Sequence, residues 1–102
     1  MGECVYTVTA TMPDQKTGDR YVAWLKDGHI DAVLRGGATT GRILNVVEPE
    51  GAIRYQTQYI FPSMEAYHTY VREHAPALRS EGLERFGPNS GVVFERTVGL
   101  VV

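Results

Sequence analysis

A single cysteine, Cys4, stands among 102 residues. One cysteine excludes an internal disulfide framework, so the fold has to hold by packing. No apolar run approaches the ~20 residues that cross a bilayer. No basic stripe is present: Lys and Arg number 10 against 12 Asp and Glu, for a net charge of −2 and a pI near 5.9. That balance excludes a nucleic-acid backbone as the natural partner. The chain also lacks HExxH, CxxC, GxSxG, P-loop and GxGxxG patterns, so neither a metal nor a cofactor is expected. "MGECVYTVTA" has no basic n-region followed by a long apolar core. Tyr6 stands where a myristoylation signal has Ser or Thr. A cytoplasmic protein is expected, with Cys4 as a small strand residue.

What is present is an ordinary folded composition, 43% hydrophobic and 22% charged, over one domain spanning 1–102. "CVYTVTAT" (4–11) alternates as a strand, with Val5, Thr7 and Thr9 on one face and Cys4, Tyr6, Val8 and Ala10 on the other. "MPDQKTGD" (12–19) is a turn into a helix over 20–35, weakened at Gly28 and ended by Gly36-Gly37. A second strand over 41–48, a turn at "PEG" (49–51) and a third strand over 52–61 follow. On the third strand Ile53, Tyr55, Thr57, Tyr59 and Phe61 oppose Arg54, Gln56 and Gln58. Ser63 is placed to cap a second helix, which restarts after Pro76 and runs to Phe86. The last strand covers 91–102.

The order is β-α-β-β-α-β, an α+β ferredoxin-like arrangement: a four-stranded antiparallel sheet with both helices on one face. Alternation then gives the uncovered face Thr7, Thr9, Arg54, Gln56, Gln58, Glu95 and Thr97. A mixed face on a small domain suits a homodimer interface, because extra burial stabilises a chain of this size. A solvated face is the plainer alternative.

Three histidines offer chemistry. His68 and His74 are six apart, about 120° around a helix, and make poor co-ligands. His29 and His74 each fall beside a helix break, at Gly28 and at Pro76. A histidine there either bonds a freed carbonyl or faces a pocket between helices and sheet as a general acid or base. Trp24, Tyr55 and Tyr59 are candidate pocket walls for a small-molecule ligand, and Asn45 and Arg42 are further polar candidates or plain surface.

"EHAPALRSEGLERFG" (73–87), "YQTQYIFPSMEAYHTYVR" (55–72) and "WLKDGHIDAVLRGGATTGRIL" (24–44) closely resemble a small bacterial family, domain-of-unknown-function family 4286. The resemblance covers roughly residues 4–98, and the matching positions are Trp24, His29, His74, Pro76 and Phe86. That family resembles the wider dimeric α/β-barrel superfamily, which includes antibiotic-biosynthesis monooxygenases. The resemblance implies a dimer whose two sheets close into a barrel, and a small-molecule pocket under the helices. It carries no catalytic role, because the family's chemistry is unassigned. It leaves three alternatives: a small-molecule binding protein, a cofactor-independent monooxygenase or isomerase of an aromatic or polyketide-like compound, or a non-catalytic dimerisation module. Gly28 and "IDAV" (30–33) depart from the acidic turn and proline that the resemblance implies for the first helix.

Overall fold

A computed structural model describes residues 2–102. Four strands, β1 (Cys4–Met12), β2 (Thr40–Asn45), β3 (Ile53–Phe61) and β4 (Val93–Leu100), form one antiparallel sheet in the order β2-β3-β1-β4. The register sets Tyr6 opposite Tyr59 and Val98, and Thr7 opposite Gln58 and Thr97. Partners directly opposite share a face, so the two β1 faces extend across the sheet. Along β1, buried and half-buried residues alternate strictly.

Four helices cover the face that carries Cys4, Tyr6, Val8 and Ala10. They are α1 (Gln15–Trp24), α2 (Ile30–Arg35), α3 (Met64–Glu73) and α4 (Ala75–Phe86). Two apolar clusters lie beneath them. One centres on Tyr6, Tyr59, Phe61 and Val33, the other on Tyr21, Leu25, Tyr55 and Phe86. Phe61 and Leu25 are almost wholly enclosed, at 0% and 1% exposure. This is the expected ferredoxin-like order, with each of its two helices divided in two.

The divisions have local causes. α1 begins at Gln15, earlier than the expected residue 20. Asp14 is the N-cap and accepts a bond from the Thr17 N–H at 2.7 Å. That bond, with a further one from the Thr17 side chain, holds its carboxyl below the usual range. A single wide turn of π type spans Leu25–His29, as the weakness at Gly28 leads one to expect. Within it Asp27 leaves helical geometry and Gly28 takes φ 105°, a value that only glycine adopts without strain. Ser63 caps α3 as expected, accepting from the Ala66 N–H at 3.1 Å.

The second break falls at His74, two residues ahead of the proline, where φ is −121°. Pro76 sits in the first turn of α4. Its missing N–H would have no intrahelical partner there in any case. The proline therefore starts a helix rather than bending one. β2 ends at Asn45, short of the expected residue 48, and a loop replaces the tight turn. β4 is likewise trimmed at both ends relative to 91–102.

Candidate functional site

A cavity of about 200 Å³ lies between the sheet, the α1–α2 pair and α4. Strand alternation supplies its floor: Tyr6 and Val8 from β1, Thr57 and Tyr59 from β3, Phe94 and Arg96 from β4. The wide turn supplies one wall. The extra residue in that turn swings His29 inward beside Trp24, and their rings stack with centroids 4.1 Å apart and planes 25° from parallel. α4 supplies the opposite wall through Leu78, Arg79, Gly82 and Leu83, a spacing that belongs to one side of a helix.

Two polar atoms of this pocket are buried without a hydrogen-bond partner, His29 Nδ1 and the Tyr59 hydroxyl. Leaving such a group unpaired costs about 1–3 kcal/mol. Burial pulls the His29 pKa below its ordinary value, and the charge of Glu81 opposes that only in part. The imidazole is therefore neutral at neutral pH, with one nitrogen available as an acceptor. Burial acts in the opposite direction on the phenols. It pushes Tyr21 and Tyr70 up to about 12, and Tyr59 also upward. All three stay protonated and able to donate. Tyr21 is held by an edge-on contact with Phe86, centroids 5.3 Å apart.

Of the residues expected at a site, Trp24, His29 and Tyr59 come together here. Tyr55, Asn45 and His74 do not line this pocket. Tyr55 shares the covered face but lies further along β3, where its hydroxyl accepts from Gln15 Nε2 at 3.1 Å. Asn45 is opposite Tyr55 at the end of an edge strand and is exposed. Arg42 is exposed and donates through Nε to Gln58 Oε1 at 2.9 Å. His74 is exposed, lies parallel to the Tyr70 ring at 11°, and packs over Gly36, where a Cβ would crowd it. Its side chain makes no capping bond at the start of α4. His68 is exposed beside Tyr67.

Arg79, Arg96 and Tyr21 line the pocket and were not singled out from sequence. Arg96 carried a signal nonetheless. It stands between Phe94 and Val98 on the strand face that the helices cover, an unusual place for a charge. Cys4 is free and buried, and burial raises its thiol pKa, so it is a packing residue. Among the described residues no group of three His, Cys, Asp or Glu side chains gathers to hold a metal. Nor is any described helix long and apolar enough to cross a membrane.

The family described as a domain of unknown function, DUF4286, matches residues 3–100. No curated protein matches the chain. Solved structures are similar across its whole length. A dimeric ferredoxin-like protein from an uncultured marine organism superposes with a TM-score of 0.75 at 13% identity, covering 98% of this chain and 94% of that one. A dabb family protein with a ferredoxin-like fold from Mesorhizobium loti gives 0.71 at 20% identity, covering 100% and 99%. A variant of SnoaB, a cofactor-independent oxygenase from Streptomyces nogalater, gives 0.65 at 9% identity, covering 97% and 92%. At these identities the likeness is one of fold.

Proposed function

We propose that this chain, which belongs to the DUF4286 family, is a homodimeric protein that binds a small molecule in the pocket between α1, α4 and the sheet. The observation that carries the reading is the pair of buried, unpartnered polar atoms, His29 Nδ1 and the Tyr59 hydroxyl, in a cavity lined mainly by aromatic and aliphatic side chains. A pocket of mostly apolar lining with a few convergent polar groups is the usual form of a small-ligand site. Dimerisation is supported by the half-buried, half-polar sheet face of Thr7, Thr9, Arg54, Gln56 and Gln58, with Glu95 and Thr97 beside them. It is supported also by the dimeric state named for similar structures. A free, buried cysteine suits a reducing cytoplasm as the place of action.

The test is a thermal-shift screen with small aromatic compounds. A ligand present at 100 times its Kd stabilises the native state by about 2.7 kcal/mol, a shift that is easily read. Protection of the wild type that is lost in His29→Phe supports the reading. No protection by any aromatic compound overturns it.

One observation favours a catalytic version. His29 is a half-buried neutral base stacked on an indole, the state needed to take a proton from an acidic aromatic hydroxyl. Such a deprotonation would serve isomerisation, or oxygenation without a cofactor in which dioxygen is the oxidant. Dioxygen uptake with a hydroquinone-type substrate, lost in His29→Phe while the fold is retained, would establish it. Binding without turnover leaves a non-catalytic binding protein.

A further inference from the structure

The same pocket carries two guanidinium groups, from Arg79 on α4 and Arg96 on β4, and no carboxylate lines it. Two exposed cations beside an aromatic cavity with no carboxylate in its lining favour a ligand that brings the anion. Neither group is there through accident of chain direction. Arg96 faces the helix side because it is opposite Val8 on β1. Its guanidinium carbon stands 5.5 Å over the Phe94 ring, a cation–π distance that holds it at the pocket. Arg79 follows Leu78 on the side of α4 that closes the wall. Both residues are solvent-exposed overall, which places the charges at the mouth and leaves the aromatic groups inside. Their field reaches inward: each lowers the pKa of Tyr67 and Tyr70, against a larger upward push from burial.

We infer that the pocket selects an aromatic anion, a compound of one or two rings bearing a carboxylate, over an uncharged aromatic of the same shape. The rings lie inside against Trp24 and Tyr59, and the acid group is met at the mouth by Arg79 and Arg96. A ring hydroxyl or carbonyl would complete the arrangement by reaching the Tyr59 hydroxyl or His29 Nδ1. The size follows from the cavity: an apolar cavity of about 150 Å³ accepts benzene, and this one is about 200 Å³ and open at one end. The inference rests on the pocket being a ligand site, and it adds the charge of the ligand.

The experiment is calorimetric titration of the intact protein, at neutral pH and low salt, with hydroxynaphthoate and with its uncharged carboxamide. Hydrogen bonds to a charged group are worth about 1.5–3 kcal/mol, so the acid is expected to bind at least about tenfold tighter than the amide. Arg79→Gln and Arg96→Gln should each reduce that preference, and the double substitution should abolish it. Added salt should weaken the acid alone. Both arginines are exposed, so the substitutions spare the core, and the single variants suffice if the double variant does not fold. Equal affinities for acid and amide would overturn the inference and leave the ligand site standing. A preference that survives both substitutions would overturn it too. If neither compound binds, it falls together with the reading of the pocket as a ligand site.

Discussion

At the scale of single residues, the site is defined by groups that burial has left unsatisfied. His29 sits below its ordinary pKa of 6.5 because its charged form is poorly solvated in the pocket. Above 6.5 both folded and unfolded chains hold it neutral. As pH falls below 6.5 the unfolded chain binds the proton first, so the native state loses stability until the lower folded pKa is reached. Urea titrations at a series of pH values should therefore show a steeper acid-side loss for wild type than for His29→Phe. Coincident curves would mean that His29 is well solvated. Tyr59 makes the converse case. Removing its unpartnered hydroxyl in Tyr59→Phe should raise stability by about 1 kcal/mol, read from the denaturant midpoint. The same change should weaken any ligand that carries a polar ring substituent. A residue that costs stability and contributes binding is the usual signature of a functional position.

At the scale of elements, the two helix breaks differ in kind, and so do their tests. Gly28 has open space around it, so Gly28→Ala meets no side chain and acts only on the backbone. Holding an L-residue at positive φ costs roughly 1–2 kcal/mol, and that loss of stability is expected together with weaker ligand binding as His29 shifts. Pro76 has the opposite role. In a helix interior its removal would relieve about 3 kcal/mol. In the first turn of α4 it only restricts the unfolded chain, so Pro76→Ala should cost about 0.4–1 kcal/mol. A stabilised Pro76→Ala would restore the reading of a bent continuous helix.

These elements also show what a sequence reveals and where it stops. Alternation assigned Tyr55 and Tyr59 correctly to the covered face, because side-chain parity in a strand is set by geometry alone. It could not say that Gln15 and Gly18 of α1 would close over Tyr55 while Tyr59, also buried, would border the cavity. Position along a strand depends on where a helix crosses, which is a tertiary fact. Asn45 illustrates the same point, having the covered-face parity but lying exposed at a strand end. For His74, one unread boundary decided the outcome: with the break at His74 itself, the imidazole is carried outward onto Gly36. Arg96 was legible by parity, and its charge alone made it look like surface.

At the scale of the whole molecule, the sheet has one face that no helix of this chain covers. Light scattering at micromolar concentration should return twice the 11.3 kDa chain mass. Thr7 lies mid-face, opposite Gln58, to which Arg42 donates. Thr7→Lys would place two further like charges across a two-fold axis, and the mass should fall to that of one chain. A wild type that is already monomeric would sink the dimer reading and leave the pocket proposal untouched, since every lining residue comes from one chain.

The wide turn over Leu25–His29 has an evolutionary consequence. Its closing bond runs from the Ile30 N–H to the Leu25 carbonyl, five residues back instead of four. Deleting the Gly28 codon would turn that bond into an ordinary helical one and leave α2 in the same phase against the sheet. The scaffold would survive, and His29, which directly precedes α2, would stay on the same face as Trp24. A single in-frame deletion at this turn would thus leave the core packing in place.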